Sequence, residues 1–139
     1  MSAVENRALV LDFFDGLSTR RFADSLELID DDGSWWVTGK PHYLPLSGTY
    51  RKKELVQLFA LVGSAMPDGI TMTITGTIAE DDRVAVEAAV YGVSPTGKVY
   101  DNQICFVVTV RDGKIHLVRE YFDTIHTNEV LFNNVYQPS

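Results

Sequence analysis

Three polar residues near the end of the chain have the types and the spacing of a site for acid–base chemistry. Arg119, Tyr121 and Asp123 alternate along one predicted strand, so their side chains share one face of a sheet. A carboxylate in apolar surroundings has a raised pKa and can take a proton from an acidic carbon, whereas a neighbouring guanidinium lowers that pKa. The pattern makes Asp123 a candidate general acid or base, with Arg119 and Tyr121 as candidate catalytic neighbours.

Each of these residues also has a structural interpretation. An aspartate followed by Thr124 often bonds the backbone at a turn, so Asp123 could cap the C-terminal segment. Arg119 could pair with Glu87 or Asp123 across the strands, since a buried carboxylate at Glu87 needs a partner. Tyr121 could be a core aromatic whose hydroxyl is satisfied. The residues alone leave both interpretations open.

A predicted hairpin around Asp112-Gly113 places the candidate site on a sheet. These two residues tolerate the positive φ angles of a two-residue turn. With this turn, three opposed pairs share the face of the site, namely Asn102 with Asp123, Ile104 with Tyr121, and Phe106 with Arg119. The opposite face then carries Glu120 and Phe122. A β-bulge between the turn and these pairs would exchange the two faces.

The preceding strand, residues 83–93, is predicted to extend the same pocket face. A four-residue loop at 94–97 would place Glu87 and Tyr91 beside the site. The outer face of the sheet would then carry an apolar stripe, formed by Val84, Val86, Val90, Val107 and Val118. An apolar outer face usually marks a buried interface, which predicts a homodimer through the sheet.

The first half of the chain predicts helices around a strand and a loop. Apolar residues recur at helical spacing over residues 3–18, 22–29 and 52–66. Residues 34–37 have a strand pattern, and Trp35 and Trp36 point to its opposite faces, so one of them lines the pocket. The Pro- and Gly-rich residues 38–50 predict a rim loop that presents Tyr43.

The C-terminal residues add one more candidate. His126 follows Asp123 by three positions and could hydrogen-bond its carboxylate. The tail beyond it has apolar members, namely Val130, Leu131, Phe132, Val135 and Tyr136. That content predicts a segment that folds back over the pocket rim or across a partner.

The composition fits one domain, residues 1–139, because 45% of the 139 residues are hydrophobic and can form a core. The net charge of −7 argues against nucleic-acid binding, which needs a basic surface. One cysteine excludes an internal disulfide, and the three histidines lack metal-ligand spacing, so no metal or other cofactor is predicted. The chain shows no signal-peptide pattern and no apolar run of membrane-spanning length, which predicts a cytoplasmic protein.

Several local motifs carry a resemblance that spans the chain. They are Trp35-Trp-Val37, Leu44-Pro-Leu-Ser-Gly-Thr-Tyr-Arg51, Arg83-Val-Ala-Val-Glu87, Asp112-Gly-Lys-Ile115 and Arg119-Glu-Tyr-Phe-Asp-Thr124. The set resembles the SnoaL-like, ketosteroid-isomerase-like branch of the nuclear transport factor 2 superfamily. This resemblance implies an α+β fold, in which a curved antiparallel sheet and three helices of the N-terminal half form a cone around a pocket.

What the resemblance implies about activity depends on the site, because this superfamily includes isomerases, cyclases, epoxide hydrolases and noncatalytic binders. Trp36 occupies the position of the ketosteroid isomerase base, and residues 88–90 lack the Arg and Asp of limonene epoxide hydrolases. The lone last-strand aspartate of SnoaL-type cyclases matches Asp123.

The predicted function is therefore binding of a small, largely apolar molecule in the cone, with cofactor-free acid–base chemistry through Asp123. One alternative is a noncatalytic binding or accessory domain, in which Asp123, Arg119 and Glu87 form a structural ion network. Another is an interaction module with a filled cone that uses the outer sheet face as its functional surface.

Overall fold

The computed structural model describes residues 2–134 of the chain. The helices in this part are α1 (Ala3–Ser18), α2 (Phe22–Glu27), α3 (Leu55–Ala65) and α4 (Thr124–Phe132). The strands are β1 (Ile29–Val37), β2 (Gly48–Arg51), β3 (Thr71–Glu80), β4 (Arg83–Val93), β5 (Val99–Arg111) and β6 (Lys114–Phe122). A 3-10 turn, Lys52–Glu54, joins β2 to α3.

The strands form one curved sheet in the order β2-β1-β6-β5-β4-β3. Neighbours run antiparallel except β1 and β6, which pair in parallel. The sheet is therefore mixed, whereas a wholly antiparallel sheet was expected. The α+β class, the curved sheet and the three helices of the N-terminal half are confirmed.

The inner face of the sheet is the face that the helices cover. α1 packs against β3 and β4, and α4 packs against β5. Aromatic side chains join the two layers: the ring centroids of Phe14 and Phe106 are 4.4 Å apart, and those of Phe13 and Trp35 are 5.9 Å apart. Because aromatic rings bury large apolar areas, this cluster anchors α1 on the sheet.

The Asp112-Gly113 turn forms as predicted, but the register of the hairpin beyond it is wrong. Val110 lies opposite Ile115, whereas the next residue of β5, Thr109, lies opposite Leu117, so β6 carries an extra residue in the form of a β-bulge. The physical reason is the core. Ile115 and Val118 are both fully buried although they are three residues apart, and a regular strand would point them to opposite faces.

This bulge exchanges the faces of the candidate site. Glu120 lies opposite Phe106 on the inner face, and Phe122 lies opposite Ile104. Arg119 and Tyr121, which were predicted to point into the pocket, therefore lie on the outer face.

The predicted register between β4 and β5 is wrong for a similar reason. The connecting loop has five residues and not four, since Val93 pairs with Val99 and the backbone N–H of Ser94 donates to the carbonyl of Lys98 at 2.8 Å. This extra residue shifts the pairing by one position, so each β4 side chain lies on the face opposite to the predicted one. Glu87 and Tyr91, which were predicted to line the pocket, lie on the outer face and are exposed.

The outer face of the sheet is the side opposite the helices, and it lacks the predicted apolar stripe. Four members of that stripe are buried on the inner face: Val84, Val86, Val90 and Val118. Only Val107 of the predicted set lies on the outer face, between Ala85 of β4 and Arg119 of β6. The apolar β4 residues serve the core of this chain, so they no longer argue for a dimer.

The C-terminal segment folds back onto its own sheet as α4. Val130 and Leu131 are buried, and the Tyr100 hydroxyl lies 2.9 Å from Thr127 Oγ1. Val135 and Tyr136 lie outside the described residues. Across residues 2–134, no helix combines the length and apolar character that a membrane span requires.

Candidate functional site

A cavity of about 360 Å³ lies between the inner face of the sheet and the helices α1 and α3. Its buried end is formed by the buried residues Trp35, Leu46 and Phe106 together with Glu120, which is partly buried and hydrogen-bonds Trp35. Exposed residues form its rim, including Ser18, Arg20, Phe22, Gly63 and Pro67. The walls between them are apolar, formed by Phe14, Leu17, Leu58, Phe59, Val62, Met66, Ile70 and Met72. The space is large enough for a small ring molecule.

Helical spacing brings the wall residues together. Phe14 and Leu17 are three positions apart on α1, and Leu58 and Val62 are four apart on α3, so each pair occupies one helix face. The sequence pattern predicted both helices, although Val4 of α1 and Val56 of α3, two apolar residues of the pattern, are exposed. The cavity is therefore a consequence of two amphipathic helices that meet over a curved sheet.

Glu120 supplies the carboxyl group of the cavity. Its Oε1 accepts a hydrogen bond from the indole N–H of Trp35 at 3.0 Å. Burial in this apolar surrounding raises the pKa of Glu120 from 4.5 to about 7, although the Trp35 hydrogen bond acts in the opposite direction. Both protonation states are consequently populated near neutral pH.

Trp35 is held in place by aromatic neighbours. Its ring meets Phe106 and Phe59 edge-on, with centroid distances of 6.0 Å in both cases. The residue is 4% exposed. Since packing fixes the indole, the direction of its N–H and the position of the Glu120 carboxyl group are fixed as well.

The arrangement suits proton transfer in an apolar space. A carboxyl group with a pKa near the ambient pH can accept a proton in one step and return it in the next. The apolar walls exclude water from a bound molecule, and this strengthens electrostatic interactions at the carboxyl group. Glu120 has the position and the acidity that sequence analysis expected of Asp123.

Arg119 and Tyr121 lie on the outer face together with Trp36. The Arg119 guanidinium carbon is 4.2 Å from the centre of the Trp36 ring, and Arg119 Nε donates to the Tyr121 hydroxyl at 2.9 Å. The Trp36 and Tyr121 rings are 5.2 Å apart. These three residues form a cation–π cluster on the side of the sheet away from the cavity.

Asp123 caps α4 and does not line the cavity. Its Oδ1 accepts the backbone N–H of His126 at 3.1 Å, and its residue is exposed. The His126 ring in turn accepts the backbone N–H of Asp101 through Nε2 at 3.0 Å. The structural interpretation of Asp123 as a cap agrees with this geometry, whereas the expectation that it points into the cone is wrong.

The structural ion network of the alternative interpretation is absent from the described residues. Arg119 contacts Trp36 and Tyr121, and no salt bridge in residues 2–134 joins any two of Asp123, Arg119 and Glu87. The end of β6 explains this, because the strand stops at Phe122 and Asp123 turns away to cap α4.

Asn102 points inward as predicted, but into a buried polar cluster under α4. Its amide nitrogen donates to the Tyr100 hydroxyl, to Thr127 Oγ1 and to the backbone carbonyl of Asp123, at 3.0–3.2 Å. Tyr100 has a raised pKa, chiefly because of burial. The cluster joins α4 to β5 and lies outside the cavity lining.

The remaining candidates divide between the cavity and the surface. Trp35 and Phe106 line the cavity, so Trp35 is the tryptophan that faces inward. Ile104 is buried on the inner face without touching the cavity. Tyr43 lies on the loop before β2 and is 69% exposed. Among the described residues, no three His, Cys, Asp or Glu side chains lie close enough together to hold a metal ion.

Sequence analysis missed Glu120 because the bulge was not placed. A signal for it exists: Ile115, Val118 and Phe122 are all strongly apolar, and no regular alternation buries all three. If a bulge is placed between Ile115 and Val118, the inward set becomes Val118, Glu120 and Phe122. A glutamate at the centre of such a set is a candidate for a buried acid.

The fold is that of the nuclear transport factor 2-like proteins, and comparison with known sequences identifies the family. A sequence profile described as SnoaL-like domain matches residues 10–127. The chain belongs to the SnoaL-like domain family, as the resemblance in the sequence implied.

Individual proteins are similar to this chain in sequence or in fold. UPF0523 protein C of Dictyostelium discoideum is 30% identical over 135 residues, which cover 88% of this chain and 86% of that protein. An NTF2-like protein from Burkholderia xenovorans LB400 superimposes with a TM-score of 0.76 at 26% identity, over 94% of this chain and 98% of its own. TerC, crystallised with polyporic acid, gives a TM-score of 0.82 at 22% identity, over 92% and 98% of the two chains.

Proposed function

We propose that the cavity binds a small, largely apolar ring molecule and that Glu120 moves a proton on it without a cofactor. The observation that carries this proposal is the Glu120 carboxyl group, which lies at the buried end of an apolar cavity with its pKa raised to about 7. A buried carboxylate that stays ionised for a structural purpose is usually paired with a cation. Within residues 2–134, Glu120 has a neutral indole donor and no salt bridge.

The chemistry follows from the two states of Glu120. The carboxylate takes a proton from a carbon next to a carbonyl group, which leaves an enolate, and Glu120 becomes a neutral acid. The neutral acid returns the proton to another atom of the enolate, which is an isomerisation. If the enolate carbon attacks a second carbonyl carbon of the same molecule, a ring closes, and the proton goes to the new alkoxide oxygen.

Two findings support a ring molecule as the ligand. The cavity walls are apolar along α1 and α3, and they offer few hydrogen-bond partners between the rim and Glu120. TerC, which has the same fold, has been crystallised with polyporic acid. The SnoaL-like family name also agrees with the cyclase-type chemistry that the sequence resemblance implied.

The test is hydrogen exchange at an acidic carbon of a simple ring ketone. 2-Tetralone in D₂O is incubated with the protein, and loss of the α-proton signal is followed by NMR between pH 5 and 9. We expect exchange that is faster than in buffer and that rises with pH through about 7, because the carboxylate is the base. Glu120→Gln should lower the rate by ~10²–10⁴ while the affinity changes little.

Asp123→Asn is the matched control, because asparagine also caps helices and residue 123 lies outside the cavity. Its exchange rate should equal that of the wild type. If Asp123→Asn abolished exchange and Glu120→Gln did not, the assignment of the base to Glu120 would be wrong.

A second candidate function is noncatalytic binding by the same cavity. The observation in its favour is that Glu120 is the sole acidic or basic side chain at the buried end of the cavity in the described residues. A binder of this kind would retain 2-tetralone in the cavity, detected by quenching of Trp35 fluorescence, without accelerating exchange in either the wild type or Glu120→Gln.

A homodimer through the sheet and a cytoplasmic location stay predictions. The outer face offers a different basis for the dimer from the predicted valine stripe. Its centre is formed by partly buried residues that no helix covers: Trp36, Val107, Leu117 and Arg119. A partner that stacks on this face would bury them.

A further inference from the structure

The rim of the cavity carries a guanidinium group whose charge is not balanced by a neighbour. Arg20 lies between α1 and α2, lines the cavity and is exposed. No carboxylate of residues 2–134 forms a salt bridge with it. The next residue differs: Arg21 lies 2.7 Å from Asp15 and 3.8 Å from Asp24, through its two terminal nitrogens.

The local backbone makes room for this group on the rim. Arg20 has φ +62°, which directs the chain sharply between the two helices. Gly69, with φ +90°, lies against the guanidinium, and a Cβ at that position would overlap the Arg20 terminal nitrogen Nη2. A glycine at 69 therefore lets Arg20 lie at the mouth of the cavity.

The two ends of the cavity consequently differ in charge. Arg20 provides a permanent cation at the rim, the walls are apolar, and Glu120 at the buried end is the group that accepts or donates a proton. A ligand that matches this pattern has an apolar body and one anionic group at the end that faces solvent. An anion at the buried end would instead meet the Glu120 carboxylate.

We infer that the ligand of this cavity is an amphipathic organic anion, an aromatic or polycyclic body whose carboxylate or enolate oxygen contacts Arg20. This inference rests on the proposed function and names the class of its ligand. The protein as a whole has a net charge of −7 and repels anions at long range, so selection of an anion requires a local cation such as Arg20. A guanidinium suits this purpose because its planar donors match a carboxylate.

The test compares two probes that share a body and differ in charge, 2-naphthoate and 2-naphthamide. Their dissociation constants are measured by calorimetry at low salt and pH 6, where Glu120 is mostly protonated. The wild type should bind the carboxylate about three- to tenfold more tightly than the amide, the range for a partly exposed ion pair with charge-assisted hydrogen bonds. High salt should reduce this preference.

Arg20→Asn should remove the preference while retaining the affinity for 2-naphthamide. Asparagine is chosen because it tolerates the left-handed backbone at this position. Arg20→Lys should retain most of the preference, since it keeps the charge. Arg21→Asn is the matched control, because that side chain is already paired with Asp15, and it should behave as the wild type does.

Three outcomes would overturn the inference. Equal ratios of the two affinities in the wild type and Arg20→Asn would show that Arg20 does not select the anion, and ligand binding by the cavity would still stand. An equal loss of both affinities in Arg20→Asn would assign it a purely structural role. Failure of both probes to bind the wild type would instead count against the proposed function, and the inference would fall with it.

Discussion

Trp35 donates its indole N–H to Glu120 across two neighbouring parallel strands, β1 and β6. This hydrogen bond connects the cavity acid to the most aromatic part of the core, where Trp35 contacts Phe13, Phe59 and Phe106. A neutral donor holds the carboxyl group in position without fixing its charge, whereas a guanidinium would keep it ionised. The pairing therefore leaves Glu120 able to gain and lose a proton near neutral pH.

The first prediction concerns stability and pH. The pKa of Glu120 is raised in the folded protein from 4.5 to about 7, so its contribution to stability is fully present below pH 4.5 and is lost as the pH rises through about 7. The full shift corresponds to about 3 kcal/mol. In Glu120→Gln the side chain at position 120 does not ionise, so this pH-dependent contribution is missing. Urea unfolding at several pH values should show the wild type losing stability relative to Glu120→Gln between pH 5 and 8.

The difference between the two proteins is the quantity to measure, because other titrating groups contribute equally to both. Asp123→Asn provides the control and should follow the pH dependence of the wild type. A constant difference between wild type and Glu120→Gln across this range would contradict a raised pKa at Glu120.

Asp123 is predicted to stabilise α4. Replacing it with alanine removes the acceptor for the His126 backbone N–H, and the free energy of unfolding should fall by about 1 kcal/mol. The rate at which the α-protons of 2-tetralone exchange with D₂O should be unchanged, since Asp123 lies outside the cavity. Asp12→Ala, on the exposed surface of α1, is a control that removes a carboxylate without a cap. A loss of turnover at unchanged stability would restore Asp123 as the catalytic group.

Disruption of the buried polar cluster around Asn102 should lower the stability more than loss of the Asp123 cap. Asn102→Ala removes the donor to the Tyr100 hydroxyl and to Thr127 Oγ1, together with the acceptor for the Gln103 N–H. The Tyr100 hydroxyl and Thr127 Oγ1 still pair with each other at 2.9 Å, so loss of the Asn102 hydrogen bonds at this buried place should lower the stability by about 1–3 kcal/mol in urea unfolding. Gln103→Ala, on the exposed outer face, is the matched control and should change stability little. An equal effect of the two substitutions would contradict a structural role for the cluster.

The helices, the Asp112-Gly113 turn and the tryptophan pair were accessible from sequence because each depends on local pattern. Apolar spacing predicted α1 and α3, and the turn residues have the positive φ angles of 51° and 75° that their types favour. Alternation along β1 also implied that Trp35 and Trp36 point in opposite directions, which the structure confirms.

The identity of the cavity acid was not accessible in the same way. Strand side chains have a period of two, so one extra residue in β6 and one in the loop before β5 each exchanged a complete set of faces. The bulge is favoured by burial of both Ile115 and Val118, which is a property of the packed core and not of the turn. A local rule for hairpins therefore placed Arg119 inside and Glu120 outside.

The next prediction concerns dimer formation through the outer face of the sheet. If two copies pair through this face, light scattering at micromolar concentration should report twice the chain mass of 15.5 kDa. Val107→Lys, at the centre of the face between Ala85 and Arg119, should convert the dimer to a monomer because it would bury a second cation beside Arg119. Thr73→Asp, on the edge strand β3, should leave the mass unchanged. A monomeric wild type would refute pairing through the sheet.

The adjacent tryptophans allow the Glu120 hydrogen bond to be tested with one residue as the control for the other. Trp35→Phe keeps an aromatic ring in the cluster but removes the indole N–H that lowers the pKa of Glu120. The pKa of Glu120 should therefore rise above about 7, and the pH midpoint of 2-tetralone exchange should move upward with it. Trp36→Phe removes an indole N–H from the outer face, where the ring contacts Arg119, and should leave that midpoint unchanged.

An NMR titration of the ¹³C-labelled Glu120 carboxyl group measures the pKa directly in all three proteins. A midpoint that falls in Trp35→Phe, or that shifts equally in both variants, would show that the Trp35 N–H does not stabilise the ionised carboxyl group.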